Sequence, residues 1–265
     1  MIARLRRTSI PTMPSYLRPL LLAFGLGLLS VSPAQALDLL KKEGGAPAGE
    51  FIILSGGPAL REWENLRPEQ VRHDRWWGNF IRAARIRMDQ IRAQHGDQAL
   101  ITWLVYRTGY ELRSKEDGED HMAKILSVQE KVKCRLVWFR ETDTVIDYLN
   151  NGGQGVSRAT TKIGNFEYFG HSNKYCFTFD YSGEVLGASK VFLHQDDLKR
   201  LQPGIFASRA YAKSWGCYTG EAMSAAFYAQ TRVRMIGARG KTDYSNCWKE
   251  TLPELSTSSG RWVTR

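Results

Sequence analysis

Two stretches of this sequence decide the fold. The first is Lys162–Asn173, KIGNFEYFGHSN, and the second is Ser208–Gly220, SRAYAKSWGCYTG. Each contains a run with apolar and aromatic residues that ends at a glycine followed by a reactive side chain, His171 in the first and Cys217 in the second. This pattern predicts a buried strand in each stretch, with the reactive side chain just beyond its end.

Outward from these stretches, predicted strands alternate with predicted helices. Further strands are expected at Phe51–Leu54, Ala99–Tyr106, Cys134–Phe139 and Val233–Ala238, and helices at Arg72–Gln94, His121–Val132, Thr142–Asn150 and Gly220–Arg232. The charged segment Glu111–Asp120 reads as a loop. This alternation predicts an α/β fold in which a mostly parallel sheet is flanked by helices.

The first 36 residues have the three parts of a secretory signal peptide. Four arginines and no acidic residue precede an apolar run from Leu20 to Val31, which is shorter than the roughly 20 residues that span a bilayer. Ala34-Gln35-Ala36 supplies the small residues of a cleavage site. We therefore expect export to the periplasm or the extracellular space, with no membrane anchor after cleavage.

Cleavage after residue 36 of 265 leaves 229 residues, which suits one large domain. Residues 37–98 read as a leader and a helix that packs on the core, residues 99–249 as the α/β domain, and residues 250–265 as a loose tail. The net charge falls from +10 to +6 because the four arginines leave with the signal peptide. The remaining charge is spread along the chain, which is typical of a solvated surface and argues against nucleic acid as a partner.

The placement of His171 and Cys217 predicts a catalytic pair. In open parallel sheets, ligands bind beyond the carboxyl ends of the strands. If the two strands are parallel neighbours, both side chains lie at the same edge of the sheet. No ligand spacing such as His-x-x-x-His or Cys-x-x-Cys occurs, so neither a metal nor another cofactor is expected.

The chemistry of this pair is that of a cysteine hydrolase. The thiolate is the nucleophile, and Cys217 precedes a predicted helix, capped by Thr219, whose N-terminus favours negative charge. His171 stabilises the thiolate and protonates the leaving group. Gly216 permits close approach of the substrate, and the amides of Cys217 and of the Gly170–Ser172 segment are candidates to bind the oxyanion.

These motifs resemble those of the caspase-like cysteine peptidases, which include caspases, metacaspases, legumain, gingipains and the bacterial CHAT domains. Phe169-Gly170-His171 matches the hydrophobic-Gly-His arrangement, and the run from Ser214 to Gly220 is similar to the Ser-Ala-Cys-x-Thr-Gly run of CHAT domains. The resemblance covers roughly residues 99–245. It implies a caspase-like fold and a Cys217/His171 dyad that cleaves a peptide or protein substrate. Two departures stand out: Ser172 replaces a glycine, and Gly216 replaces an alanine.

Other interpretations of these residues stay open. Cys217 is also a candidate for a disulfide with Cys247, and Cys176–Cys247 is another possible bridge in an exported protein. A catalytically inactive caspase-like module that binds protein or cell-wall partners has the same motifs. Gly170-His171-Ser172 also resembles the start of a serine-hydrolase elbow, which makes Ser172 an alternative nucleophile. The carboxylates that are candidates to bind a basic substrate side chain are Asp180 and Asp243.

Overall fold

The structure is a computed structural model, and it describes residues 49–66, 68–69, 76–181 and 190–264. The predicted signal peptide, residues 1–36, and residues 37–48 of the leader lie outside the described residues. Within the described ranges, every helix is too short or too polar to cross a lipid bilayer.

Strands and helices alternate along the described chain. The strands are β1 (Glu50–Ser55), β2 (Ile101–Tyr106), β3 (Arg135–Phe139), β4 (Gly152–Gly153), β5 (Val156–Ser157), β6 (Ile163–Phe169), β7 (His171–Ser172), β8 (Cys176–Thr178), β9 (Phe192–His194), β10 (Phe206–Ser214), β11 (Met235–Arg239), β12 (Thr242–Asp243), β13 (Glu254–Leu255) and β14 (Arg261–Thr264). The α-helices are α1 (Arg61–Asn65), α2 (Asn79–His95), α3 (Arg107–Asp117), α4 (His121–Val132), α5 (Thr142–Asn151) and α6 (Ala222–Thr231). Short 3-10 helices cover Asp197–Arg200 and Ser245–Lys249.

Seven of these strands form the central sheet, in the order β14-β11-β10-β6-β1-β2-β3. Neighbouring strands run parallel, except that β14 is antiparallel to β11. The predicted α/β fold with a mostly parallel sheet flanked by helices is therefore confirmed, and it is consistent with a caspase-like α/β arrangement. Strand β1 lies inside the sheet, between β6 and β2, so the segment before residue 99 supplies an interior strand.

Both faces of the sheet are buried at β1, β2 and β6, which explains why these strands are apolar along most of their length. Side chains alternate between the two faces of a strand. In β1, Ile52 and Leu54 join the core under α5 and α6, whereas Phe51 and Ile53 join the core under α2, α3 and α4. The helices thus cover the sheet on both sides and leave the carboxyl ends of the strands as the edge where a site can form.

The charged segment Glu111–Asp120, expected to be a loop, is mostly helical, because α3 continues to Asp117. Its charges pair with one another at helical spacing. Arg107 Nε lies 2.7 Å from Glu111 Oε1, and Arg113 Nε lies 3.0 Å from Asp117 Oδ1, each pair four residues apart. Such pairs stabilise a helix, so the density of charge that suggested a loop supports α3 instead.

The C-terminal residues 250–265, expected to be loose, contain β13 and the edge strand β14. The Trp262 ring packs edge-on against the Trp215 ring, with their centroids 5.4 Å apart. The ammonium group of Lys213 lies 3.3 Å from the centroid of Trp215 and 4.2 Å from that of Trp262. These contacts join residues about fifty positions apart, so the composition of the tail by itself gave no sign of them.

A buried charged cluster connects α2 with the strand that leads to Cys217. Lys213 is 7% exposed and lies opposite the fully buried Glu167 in the register of β10 and β6. Glu167 accepts hydrogen bonds from Arg87 Nε at 2.6 Å and from Trp215 Nε1 at 2.8 Å. Burial lowers the pKa of Lys213 to about 7, because an ammonium group loses its hydration there.

Candidate functional site

The structure brings the His171 and Cys217 segments together at the carboxyl ends of β6 and β10. These strands are parallel neighbours, and Ser214 lies opposite Tyr168 in their register. Ser172 Oγ donates a hydrogen bond of 2.8 Å to the carbonyl oxygen of Cys217. The residue after the histidine therefore contacts the backbone of the cysteine across 45 positions of sequence.

The sulfur of Cys217 contacts Thr242, a residue that the sequence analysis did not single out. The Thr242 amide donates to Sγ at 3.4 Å, and Thr242 Oγ1 lies 3.5 Å from Sγ. In the thiol form, the sulfur can also donate to the Thr242 carbonyl oxygen at 3.9 Å. In the part of the chain that the structure describes, these Thr242 atoms are the hydrogen-bond contacts of the sulfur.

Aromatic side chains surround the His171 ring. Phe80, at the start of α2, meets the imidazole edge-on with the centroids 5.0 Å apart, and the Tyr181 ring lies tilted at 4.2 Å. Phe80 also meets the Tyr244 ring at 4.9 Å. The imidazole is thus half-buried in an aromatic wall that reaches from β7 to the segment after β12.

The Tyr244 hydroxyl connects the two candidate catalytic segments. It donates to the carbonyl oxygen of Trp215 at 3.1 Å, and the Gly170 backbone hydrogen-bonds to it. Burial raises the pKa of Tyr244 well above its usual range. The hydroxyl therefore stays protonated and fixes the distance between the segment before His171 and the segment before Cys217.

Gly216 and Ser172 fit each other closely. A methyl group on Gly216 would lie 2.1 Å from Ser172 Oγ and 2.9 Å from Ser172 Cβ. Gly216 therefore leaves the space that the serine hydroxymethyl group fills. The two departures from the caspase-like pattern are adjacent in space and complement each other.

The Cys217 amide, one of the expected oxyanion donors, has no hydrogen-bond partner among the described residues, unlike the amides on either side of it. The Gly216 amide donates to Ser214 Oγ at 3.2 Å and the Tyr218 amide to the Gly240 carbonyl oxygen at 2.8 Å. Tyr218 has a left-handed φ of 61°. Side chains rarely adopt this conformation away from special turns, and here it accompanies a sharp turn of the backbone directly after Cys217.

The expected helix N-terminus next to Cys217 is wrong in detail. Helix α6 begins at Ala222, and Thr219 does not cap it, because Thr219 Oγ1 donates to the Gly216 carbonyl oxygen at 3.2 Å. The Met223 amide in the first turn of α6 donates to the Lys174 carbonyl oxygen instead. A turn of four residues, 218–221, separates the cysteine from the helix.

The two candidate substrate-binding carboxylates have different surroundings. Asp243 Oδ1 accepts the Ser245 amide at 2.7 Å, so this carboxylate closes the turn that leads from β12 into the 3-10 helix. Asp180 is buried, and together with burial its charge raises the pKa of Tyr106, at the end of β2, to about 12. The neighbour of Asp180 in sequence, Tyr181, contacts the His171 ring, which leaves Asp180 near the edge of the site.

Ser172 lies on β7, and the next element is β8, which pairs with β7 in antiparallel orientation. A serine-hydrolase elbow requires a helix directly after the nucleophile. The hydroxyl of Ser172 is also engaged by the Cys217 carbonyl oxygen. The structure around Ser172 therefore lacks the strand, turn and helix that the elbow interpretation requires.

All four cysteines are free thiols, so neither expected disulfide is formed. Burial raises the pKa of Cys134 and of Cys247 to about 12 in each case, and it also raises the pKa of Cys176. Cys217 is half-buried. In the described ranges, no three His, Cys, Asp or Glu side chains form a group that could bind a metal ion.

Sequence reasoning missed Thr242, Tyr244 and Phe80. The first two follow β11, a parallel neighbour of β10, so the rule that ligands bind beyond the ends of parallel strands could have found them. Phe80 lies within the predicted helix Arg72–Gln94, and nothing in the sequence places that residue next to His171. None of the three belongs to a recognisable motif.

Comparison of the chain with protein-family models, with curated proteins and with solved structures finds no match. The relation to caspase-like peptidases therefore stays a prediction from the motifs and the fold.

Proposed function

We propose that this protein is an exported cysteine hydrolase of the caspase-like type, an endopeptidase in which Cys217 is the nucleophile and His171 the general acid and base. The hydrogen bond between Ser172 Oγ and the Cys217 carbonyl oxygen is the observation that supports the proposal most directly. It joins the two segments at one edge of the sheet, where α/β folds place ligands.

In this proposal, the Cys217 thiolate attacks the carbonyl carbon of a peptide bond, and the Cys217 amide donates a hydrogen bond to the oxyanion that develops. His171, protonated when the thiolate forms, gives its proton to the leaving amine. Water then attacks the thioester, with His171 accepting a proton from it, and the acid product leaves as the thiol returns. Catalytic hydrogen bonds are often long before substrate binds, so contact of the sulfur with Thr242 is compatible with this sequence of steps.

The first experiment measures alkylation by iodoacetamide and cleavage of a peptide library by the mature protein. We expect Cys217 to react at neutral pH, His171→Ala to slow that reaction, and Cys217→Ala to abolish cleavage. His194→Ala and Cys176→Ser are matched controls, because the two residues lie opposite each other on β9 and β8 and belong outside the proposed pair. Rapid cleavage by the folded Cys217→Ala protein would refute the assignment of the nucleophile.

The alternative is a caspase-like module without catalysis that binds a protein or cell-wall partner. One observation favours it: the hydrogen bonds of the sulfur go to Thr242. A folded, reduced protein whose Cys217 stays unreactive toward the alkylating agent, and which cleaves no peptide, would select this alternative.

A further inference from the structure

We infer that Thr242 is a positioning residue that holds the Cys217 sulfur and stabilises its ionised form. The inference rests on the proposed function, because it gives the nucleophile of that site a second partner besides His171. Thr242 belongs to β12, which pairs with β13 through Thr242 opposite Leu255 and Asp243 opposite Glu254. The threonine is therefore fixed by its own two-stranded sheet rather than by the loop that carries the cysteine.

Thr242 presents two donors to the sulfur. Its amide already donates to Sγ at 3.4 Å, and its hydroxyl oxygen lies 3.5 Å from Sγ. A threonine hydroxyl rotates, so it accepts from the thiol and donates to the thiolate. Hydrogen bonds to a charged group are stronger than those between neutral groups, so the pair of donors favours the thiolate over the thiol. The Thr242 carbonyl oxygen, at 3.9 Å, has the opposite preference but lies farther away.

The surrounding backbone keeps this contact in place. The Tyr218 amide donates to the Gly240 carbonyl oxygen at 2.8 Å, and the Gly220 amide donates to the Ala238 carbonyl oxygen at 2.9 Å. These two bonds attach the turn after Cys217 to the end of β11 on the path to Thr242. The sulfur and the threonine thus belong to one hydrogen-bonded unit.

The titratable groups near the sulfur allow a clean measurement. Tyr168 and Tyr244 interact electrostatically with the cysteine, Lys241 and Asp243 flank the threonine in sequence, and His171 is the proposed partner of the sulfur. Burial raises the pKa of Tyr168 and of Tyr244 well above the usual range, so both stay neutral where a cysteine titrates. The pH profile of alkylation therefore reports on the sulfur and on His171, and His171→Ala separates the two.

The test is the rate of iodoacetamide alkylation at Cys217 as a function of pH, followed by mass spectrometry of the Cys217 peptide. We expect Thr242→Val, which removes the hydroxyl and keeps the amide, to move the midpoint of the profile upward by about one pH unit. Thr242→Ser keeps the hydroxyl and should return the midpoint to that of the wild type. Thr251→Val, at another threonine whose hydroxyl donates to a backbone carbonyl, is the control and should leave the profile unchanged.

An unchanged midpoint in folded Thr242→Val overturns the inference, as does a serine variant that behaves like valine. If the valine variant does not fold, Thr242→Ala provides the same comparison with less bulk. Failure of the proposed function looks different. The protein would then cleave no peptide and His171→Ala would leave the alkylation rate unchanged, while the valine and serine variants would still differ.

Discussion

The close fit of Gly216 against Ser172 predicts a coupled effect of substitutions at these positions. In Gly216→Ala, the new methyl group would overlap Ser172 Oγ at 2.1 Å and Ser172 Cβ at 2.9 Å. Rotation of the hydroxyl away breaks its hydrogen bond to the Cys217 carbonyl oxygen, which costs about 1 kcal/mol, and the crowding of the carbon atoms adds about 1–3 kcal/mol. We therefore expect Gly216→Ala to lower the free energy of unfolding by roughly 2–4 kcal/mol.

In a Ser172→Gly background, both of these contacts disappear. The nearest remaining atom to the methyl group is then the Gly170 carbonyl oxygen at 3.1 Å, which requires a shift of only a few tenths of an ångström. Ser172→Gly alone should cost about 1–2 kcal/mol, for the lost hydrogen bond and the added backbone entropy. Gly216→Ala should then cost about 1 kcal/mol or less, so the two positions couple by roughly 2 kcal/mol.

The measurement is a double-mutant cycle from urea unfolding, with slopes compared to confirm that the folded states have similar compactness. Gly78→Ala is the control in both backgrounds, because a methyl group there has nothing within 4 Å. An alanine at position 216 that costs the same with and without Ser172 would refute the reasoning. Coupling of the expected size would explain the two departures from the caspase-like motifs together. The side chain that is larger at Ser172 would occupy the space left by the smaller residue at Gly216.

Two further predictions concern buried titratable groups. Burial lowers the pKa of Lys213 from its ordinary 10.5 to about 7. Between these two pH values, the unfolded chain therefore binds a proton that the folded chain lacks. The free energy of unfolding then rises with pH, by about 1.4 kcal/mol per pH unit near the middle of that range. Lys213→Met should therefore be more stable than the wild type at pH 7, with an advantage that shrinks toward pH 10.5 in parallel thermal or urea unfolding. Lys241→Met, at an exposed lysine, is the control, and a difference for Lys213→Met that stays constant with pH would contradict the prediction. Burial also raises the pKa of Cys134 and Cys247 to about 12. At pH 8, we expect both thiols to resist iodoacetamide in the folded protein and to react in urea, as measured by mass spectrometry of the peptides. Rapid labelling of either thiol in the folded protein would contradict this prediction.

Much of the framework could be predicted from sequence because its signals are local. Runs of apolar and aromatic residues marked β2, β3, β6, β10 and β11, and the glycines that end two of these runs marked His171 and Cys217. The rule on parallel strands then predicted a shared edge. Local signals failed at α3, where the i,i+4 pairing of charges outweighed their polarity, and at the helix after Cys217, which begins at Ala222 and not at Gly220.

Sequence alone thus determined the α/β class, the strands that carry the reactive side chains and the glycines that end them, since periodicity and turn residues act over a few neighbouring positions. Only the tertiary structure decided that β1 lies inside the sheet between β6 and β2, that Trp262 packs on Trp215, and that Thr242 contacts the Cys217 sulfur. The physical reason is that each of these contacts joins segments at least 25 positions apart. Such contacts depend on strand order, strand register and the path of the loops together. No local sequence pattern at these side chains predicts which residues they contact.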